Sequence, residues 1–255
     1  MQLTREVRFA VLEDYVSKIT NSWSGWPTTS RLVPRLSLLT TVEGEPEAKS
    51  GYICNIKLLD DLVRDVVTEE VIPIFKPDNS TEIVLRHIYR CSKNLLNLPG
   101  VSIVEQTLVL SPYLKFTICA KDETMVCLTQ QFEFSASHRL HNEDLSDEEN
   151  RELFGKCNNP SGHGHNYVVE ISLNRTLSGP GVNLSKFEAK VKELVIDRLD
   201  HKHLNCDVDY FASVNPSVEN IAIAIFKWLD GQFGEDQLTN VRVYETPKTW
   251  ADYSG

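Results

Sequence analysis

Stretches of this chain repeat one another at a nearly constant distance, and that constrains the fold more than any other feature. Cys54-Asn55-Ile56-Lys57-Leu58-Leu59-Asp60-Asp61-Leu62-Val63 lies over Val182-Asn183-Leu184-Ser185-Lys186-Phe187-Glu188-Ala189-Lys190-Val191 at an offset of 128 residues. Ser80-Thr81-Glu82 lies over Ser217-Val218-Glu219 at 137, and Ile103-Val104-Glu105 over Val243-Tyr244-Glu245 at 140. The offset drifts in one direction, as loop insertions after a duplication produce. The halves should therefore share one layout, with residues 1–125 as the first unit and 126–255 as the second.

Periodicity fills in that layout. The first half reads as strand (Glu6 to Leu12), a loop with Trp23-Ser24-Gly25-Trp26-Pro27, strand (Arg35 to Val42), helices near Lys57 to Glu70 and Ser80 to Leu95, then further strands. The second half reads as strand (Gln130 to Leu140), an acidic insertion, strand (Gly164 to Asn174), two helices, and strand (Asn240 to Thr246). Ser185 with Glu188 reads as a capping box, and Phe187, Val191, Leu194 and Leu199 as one buried stripe. Asn215-Pro216 reads as the cap and first position of the last helix, with Ile221, Ile225, Trp228 and Leu229 facing inward. Strands followed by helices that cover one face describe an α+β layer fold, here in tandem.

Composition narrows the partners. The 255 residues hold enough apolar side chains (41%) for real cores, and the formal net charge of −10 excludes a broad nucleic-acid surface, which needs cations against phosphates. The cysteines Cys54, Cys91, Cys119, Cys127, Cys157 and Cys206 show no Cys-x-x-Cys spacing, so free thiols in a reducing compartment are expected. Met1 to Glu6 lacks the apolar core of a signal peptide and no window approaches a membrane span, so a cytoplasmic location is expected.

The chemistry gathers in the second half. His163-Gly164-His165 entering a strand puts two imidazoles on one face about 7 Å apart, a chelating pair. Tyr167, Val169, Ile171 and Leu173 continue that face inward. His138 ends a second strand on the face of Phe132, Phe134 and Ala136. Three neutral imidazoles with no fourth protein ligand fit an open, catalytic zinc site, against the alternative of satisfied core histidines or a structural metal. At the first repeat's offset, His163 and His165 fall on Arg35 and Ser37, and the one earlier histidine, His87, lies in a predicted helix. The first repeat is therefore expected to bind no zinc. Cys157, on a Gly/Asn/Pro-rich loop six residues before His163, has a base and an orienting acid available in Asp200-His201. Such a set can relay protons, although Asp-His at a helix end is also an ordinary polar terminus. Glu245 shares a face with Val241 and Val243, where a carboxylate is either paired, bound to a ligand, or on a surface strand.

These runs, Phe134 to Leu140, Leu145 to Asn150, Leu153 to Pro160, Gly162 to Tyr167, Leu199 to Asn205 and Tyr244 to Thr246, closely resemble the 6-pyruvoyltetrahydropterin synthase family over residues 130–255. The resemblance implies two tandem tunnelling-fold (T-fold) units, each an antiparallel four-stranded sheet with two helices on one face. It implies oligomerisation into a barrel with active sites at interfaces between T-fold units. It makes His138, His163 and His165 the ligands of one Zn²⁺ per chain, Cys157, Asp200 and His201 the proton-transfer triad, and Glu245 the anchor of a pterin ring. Ser217 and Glu219, at the start of the last helix, are further candidate substrate contacts. The implied reaction turns 7,8-dihydroneopterin triphosphate into 6-pyruvoyltetrahydropterin and triphosphate, with Mg²⁺ accompanying the triphosphate. Lys156, Arg139 and Lys202 are triphosphate candidates by charge alone. A 6-carboxytetrahydropterin synthase and a non-catalytic zinc-binding scaffold are the alternatives. The extra first half departs from a family whose members are mostly single units.

Overall fold

The computed structural model describes residues 1–11, 25–27, 32–71, 79–177 and 181–255. They fall into two compact units: Met1–Leu128 with Arg175–Val182, and Thr129–Asn174 with Asn183–Gly255.

In the first unit, strands β1 (Gln2–Ala10), β2 (Arg35–Glu43), β3 (Ser102–Ser111) and β4 (Leu114–Cys119) lie side by side in that order, each antiparallel to its neighbour. Between β2 and β3 run helices α1 (Ile56–Val66), which continues into a π turn over Val67–Val71, and α2 (Thr81–Leu95). Leu59, Val63, Leu85 and Ile88, all fully buried, are the apolar stripes of these helices, and Leu38, Leu108 and Phe116 are buried on the strands. Arg5 of β1 grips Asp60 of α1 with two hydrogen bonds of 2.7 and 2.9 Å.

The second unit repeats the plan. Strand β5 (Asp122–His138) contributes its residues from Thr129 onward, followed in sheet order by β6 (His163–Thr176), β8 (Gln237–Thr246) and β9 (Thr249–Tyr253). The short β7 (Lys202–His203) pairs in parallel with the end of β5. Helix α3 (Asp147–Phe154) occupies the acidic insertion, and α4 (Leu184–Val191) and α5 (Val218–Leu229) stand where α1 and α2 stand in the first unit.

The duplication extends to the caps. Asn55 and Asn183, at the offset of 128, are the N-caps of α1 and α4. Ser80 and Ser217, at 137, cap α2 and α5. Strands β2 and β6 begin on Arg35 and His163, the pair matched by the sequence offset. A π turn follows each of the matched helices α1 and α4, over Val67–Val71 and Lys192–Ile196.

Several local expectations are corrected. Helix α4 is capped by Asn183, and Glu188 accepts a hydrogen bond from Gln130 instead of closing a box with Ser185. The capping box that does form is Ser146 with Glu149 on α3. The last helix starts after Ser217 rather than at Asn215-Pro216, which frees the Pro216 carbonyl for another partner. The buried stripe after α4 runs Phe187, Val191, Val195, Leu199, with Leu194 only half-buried. The π turn explains that shift, since one extra residue in the turn rotates the next inward position by one. Trp23, Ser24 and Leu12 lie outside the described residues.

Candidate metal centre

The centre forms where the end of β5, the start of β6 and the end of β8 meet at one margin of the sheet. His138 is the last residue of β5, His163 and His165 open β6, and Glu245 is the penultimate residue of β8. The period-2 alternation that buries Phe134, Ala136, Tyr167 and Val169 aims all three histidines at the same side. Their ligand atoms and a Glu245 carboxylate oxygen lie within 4.8 Å of one another. His138 Nε2 is 3.1 Å from His163 Nε2 and 3.4 Å from Glu245 Oε1, and His165 Nε2 is 3.5 Å from that oxygen.

These residues fit a zinc ion. Bonds of about 2.0–2.1 Å in a tetrahedron place two imidazole nitrogens about 3.3 Å apart, close to the His138–His163 spacing. His138 Nδ1–H donates to the Pro216 carbonyl at 2.6 Å, which fixes the tautomer that leaves Nε2 as a free lone pair. His165 Nε2 is buried with no hydrogen-bond partner, an orphan that a cation satisfies. Burial, with the neighbouring His163, His165 and His203 adding to it against the opposing Pro216 carbonyl, pushes the His138 imidazole down to about 4. Burial likewise lowers His163. Both rings are thus neutral at pH 7, as ligands must be.

The sign of the His138 shift sets a pH dependence. Unfolded, the ring takes a proton near 6.5; folded, near 4. Between those values the folded chain binds fewer protons, so stability rises with pH. Metal-free protein should keep this contribution above pH 6.5 and lose on the order of 3 kcal/mol of it as pH falls through 4. Urea midpoints across that range measure it, and a flat profile would contradict the buried neutral ring.

Around the centre the chain is tightly specified. Gly162, at φ +69°, crosses so near His138 and His203 that a Cβ there would lie 2.9 Å from the His138 carbonyl oxygen and from His203 Nε2. Cys157 sits half-buried on the 3-10 turn Gly155–Asn158. Its carbonyl accepts the Leu140 N–H at 2.9 Å, and Asn158 Nδ2 donates to the Leu140 carbonyl at 2.8 Å. Asn150, fully buried on α3, donates to three backbone carbonyls and accepts the Asn142 N–H, so the insertion has a fixed shape.

Asp200 and His201 make a pair of their own. Asp200 Oδ2 is 2.7 Å from His201 Nδ1, while its Oδ1 accepts the Ser135 N–H at 2.8 Å. The Ser135 N–H, then His201, hold the Asp200 carboxyl below its ordinary range. His201 adopts φ 56°, unusual for a residue with a Cβ, and its N–H donates to the Ser135 carbonyl at 2.6 Å. Its side chain is 83% exposed. A cavity of about 410 Å³ lined by His165, Asn166, His201, Lys202 and His203 opens beside it. Among the described residues, no hydrogen bond joins Cys157 to His201.

The remaining candidates are placed as follows. Ser217 spends its hydroxyl capping α5 on Asn220, and Glu219 is exposed in the first turn of that helix. Arg139 donates to the Asn158 carbonyl at 3.0 Å. Two participants escaped the sequence reading. The Pro216 carbonyl was hidden by the misplaced helix start. Tyr167 read as one more apolar residue, yet its hydroxyl is buried without a partner. Burial, then the charges of Glu245 and Cys157, push that hydroxyl well above the ordinary phenol range.

Comparison with known proteins agrees with this picture. The family described as 6-pyruvoyl tetrahydropterin synthase matches residues 127–255. The human 6-pyruvoyl tetrahydrobiopterin synthase is 43% identical over 131 residues, 50% of this chain and 90% of that protein. The Drosophila melanogaster protein of the same name is 42% identical over 132 residues, 50% of this chain and 79% of that one. The structure of Caenorhabditis elegans 6-pyruvoyl tetrahydropterin synthase aligns at 41% identity over 51% of this chain and 96% of its own, TM-score 0.48. A hyper-thermostable AgUricase mutant aligns over 100% of this chain and 90% of its own at 9% identity, TM-score 0.54, which bears on fold alone and fits two tandem T-fold units. Among the described residues no disulfide forms between the cysteines, and no helix is long and apolar enough to cross a membrane. With half its length matched by that family, carrying the three histidines and Glu245, the chain belongs to the 6-pyruvoyl tetrahydropterin synthase family.

Proposed function

We propose that this protein is a zinc-dependent lyase that converts 7,8-dihydroneopterin triphosphate into 6-pyruvoyltetrahydropterin and triphosphate. The observation that carries the reading is the convergence of three imidazoles and one carboxylate beside an open cleft. His138, His163 and His165 would hold the ion, with the Pro216 carbonyl orienting His138. When bound, zinc supplies a Lewis acid that makes the C–H bonds beside the substrate's hydroxyls more acidic.

The protein's own groups do the rest. Glu245 accepts two hydrogen bonds from the aminopyrimidinone edge of the pterin and fixes its orientation. Cys157 Sγ takes a proton from the side chain of the substrate, and His201, held at Nδ1 by Asp200, carries protons at Nε2. Electrons move only within the substrate, so no external reductant enters. Ser217 and Glu219 border the substrate from the start of α5, and Mg²⁺ accompanies the triphosphate. The first repeat, residues 1–125, has no counterparts of the three histidines and serves this chemistry as a scaffold. Membership of this family supports a homo-oligomer with active sites at interfaces between T-fold units. Cysteines present as thiols rather than disulfides support a reducing, cytoplasmic setting.

Incubating zinc-loaded protein with 7,8-dihydroneopterin triphosphate and Mg²⁺, and identifying products by mass spectrometry, tests this. A 6-pyruvoyl product with triphosphate is expected. A 6-carboxy product would reassign the reaction to side-chain cleavage, and no turnover with full zinc occupancy would make the protein a metal-binding scaffold.

A further inference from the structure

The helical layer of the first unit holds a second convergence of metal-binding groups, built from residues with no role in the centre above. His87 and Cys91 stand one turn apart on α2, and Glu70 reaches them from the π turn that extends α1. Their ligand atoms lie within 4.8 Å of one another. His87 Nε2 is 3.0 Å from Glu70 Oε2 and 3.6 Å from Cys91 Sγ.

Two features separate this cluster from an ordinary surface hydrogen bond. The first is that a carboxylate oxygen and a sulfur converge on one ring nitrogen. That nitrogen carries at most one proton, so it can donate to Glu70 or accept from Cys91 but cannot satisfy both. A cation coordinated by all three removes the conflict. The second is the spacing. Zinc bonds of about 2.0–2.1 Å to nitrogen and about 2.3 Å to sulfur, at the tetrahedral angle, put nitrogen and sulfur about 3.6 Å apart. That is the His87–Cys91 separation.

We propose that Glu70, His87 and Cys91 form a second divalent-metal site, with Zn²⁺ the ion their mixed oxygen, nitrogen and sulfur donors suit. Three protein ligands leave one position for water. The expectation of no zinc in the first repeat set His87 aside as a lone histidine on a helix; this site joins it to Glu70 and Cys91.

Cobalt substitution of the full chain tests the proposal, because a thiolate ligand gives Co²⁺ a near-ultraviolet sulfur-to-metal absorption that an all-histidine site lacks. The wild-type chain should take up two equivalents and show that absorption. Cys91→Ala should lose one equivalent and the absorption, and Glu70→Gln should weaken both. His163→Ala should lose one equivalent and keep the absorption. One equivalent in the wild type with no thiolate absorption, in protein whose circular dichroism is unchanged, overturns the second site. Loss of metal only in the His163 variant does the same while leaving the catalytic centre intact.

Discussion

His163→Ala should abolish zinc binding at the sheet margin and cut turnover by on the order of 10³-fold or more. The Lewis acid that polarises the substrate is worth several kcal/mol, and each 1.4 kcal/mol is tenfold in rate. Two imidazoles and a carboxylate remain, but His138 is already committed through Nδ1 to the Pro216 carbonyl and cannot swing to compensate. The fold should survive, because His163 is only half-buried and opens its strand rather than filling the core. Metal analysis with circular dichroism separates the outcomes. Full zinc content in the variant would remove His163 from the ligand set.

The second large effect is expected from Cys157→Ala. Proton transfer by a positioned side chain contributes about 10²–10⁴-fold, so turnover should fall by that factor with zinc content unchanged. KM should move little, since Cys157 is assigned to the reacting carbon and not to the pterin ring. Cys157 is held through its backbone by Leu140 and through Asn158 by the same strand end, so alanine there should leave the loop in place. Unchanged turnover would end the proton-relay assignment.

Much of this architecture was legible in the sequence because duplication leaves local signals in register. The matched pairs Asn55/Asn183 and Ser80/Ser217 are caps in both units, and a cap is decided by its own few residues. The histidine faces were legible for a similar reason, because alternation along a strand is local. What failed depended on neighbours. Ser185 and Glu188 have the spacing of a capping box, yet Gln130 engages Glu188 and Asn183 caps the helix. Leu194 belongs to the stripe only if every turn has 3.6 residues, and the π turn over Lys192–Ile196 breaks that count. The positive φ of His201 depends on Ser135, distant in sequence, whose carbonyl accepts the His201 N–H and whose N–H donates to the Asp200 carboxylate. The i, i+4 pair His87 and Cys91 could be seen in the sequence, but Glu70 arrives from another helix.

The Glu245 carboxylate lies within reach of both His138 and His165, so it can face either the metal or the pterin. A crystal of zinc-loaded protein with a reduced pterin, measured at the zinc absorption edge, tests the central claim. The account predicts a zinc peak bonded to His138, His163 and His165 with its fourth position facing the ligand side chain, and both Glu245 oxygens on the pterin edge. A zinc ion closed off by Glu245, with the pterin elsewhere, would contradict it and leave a structural metal site in place of a catalytic one.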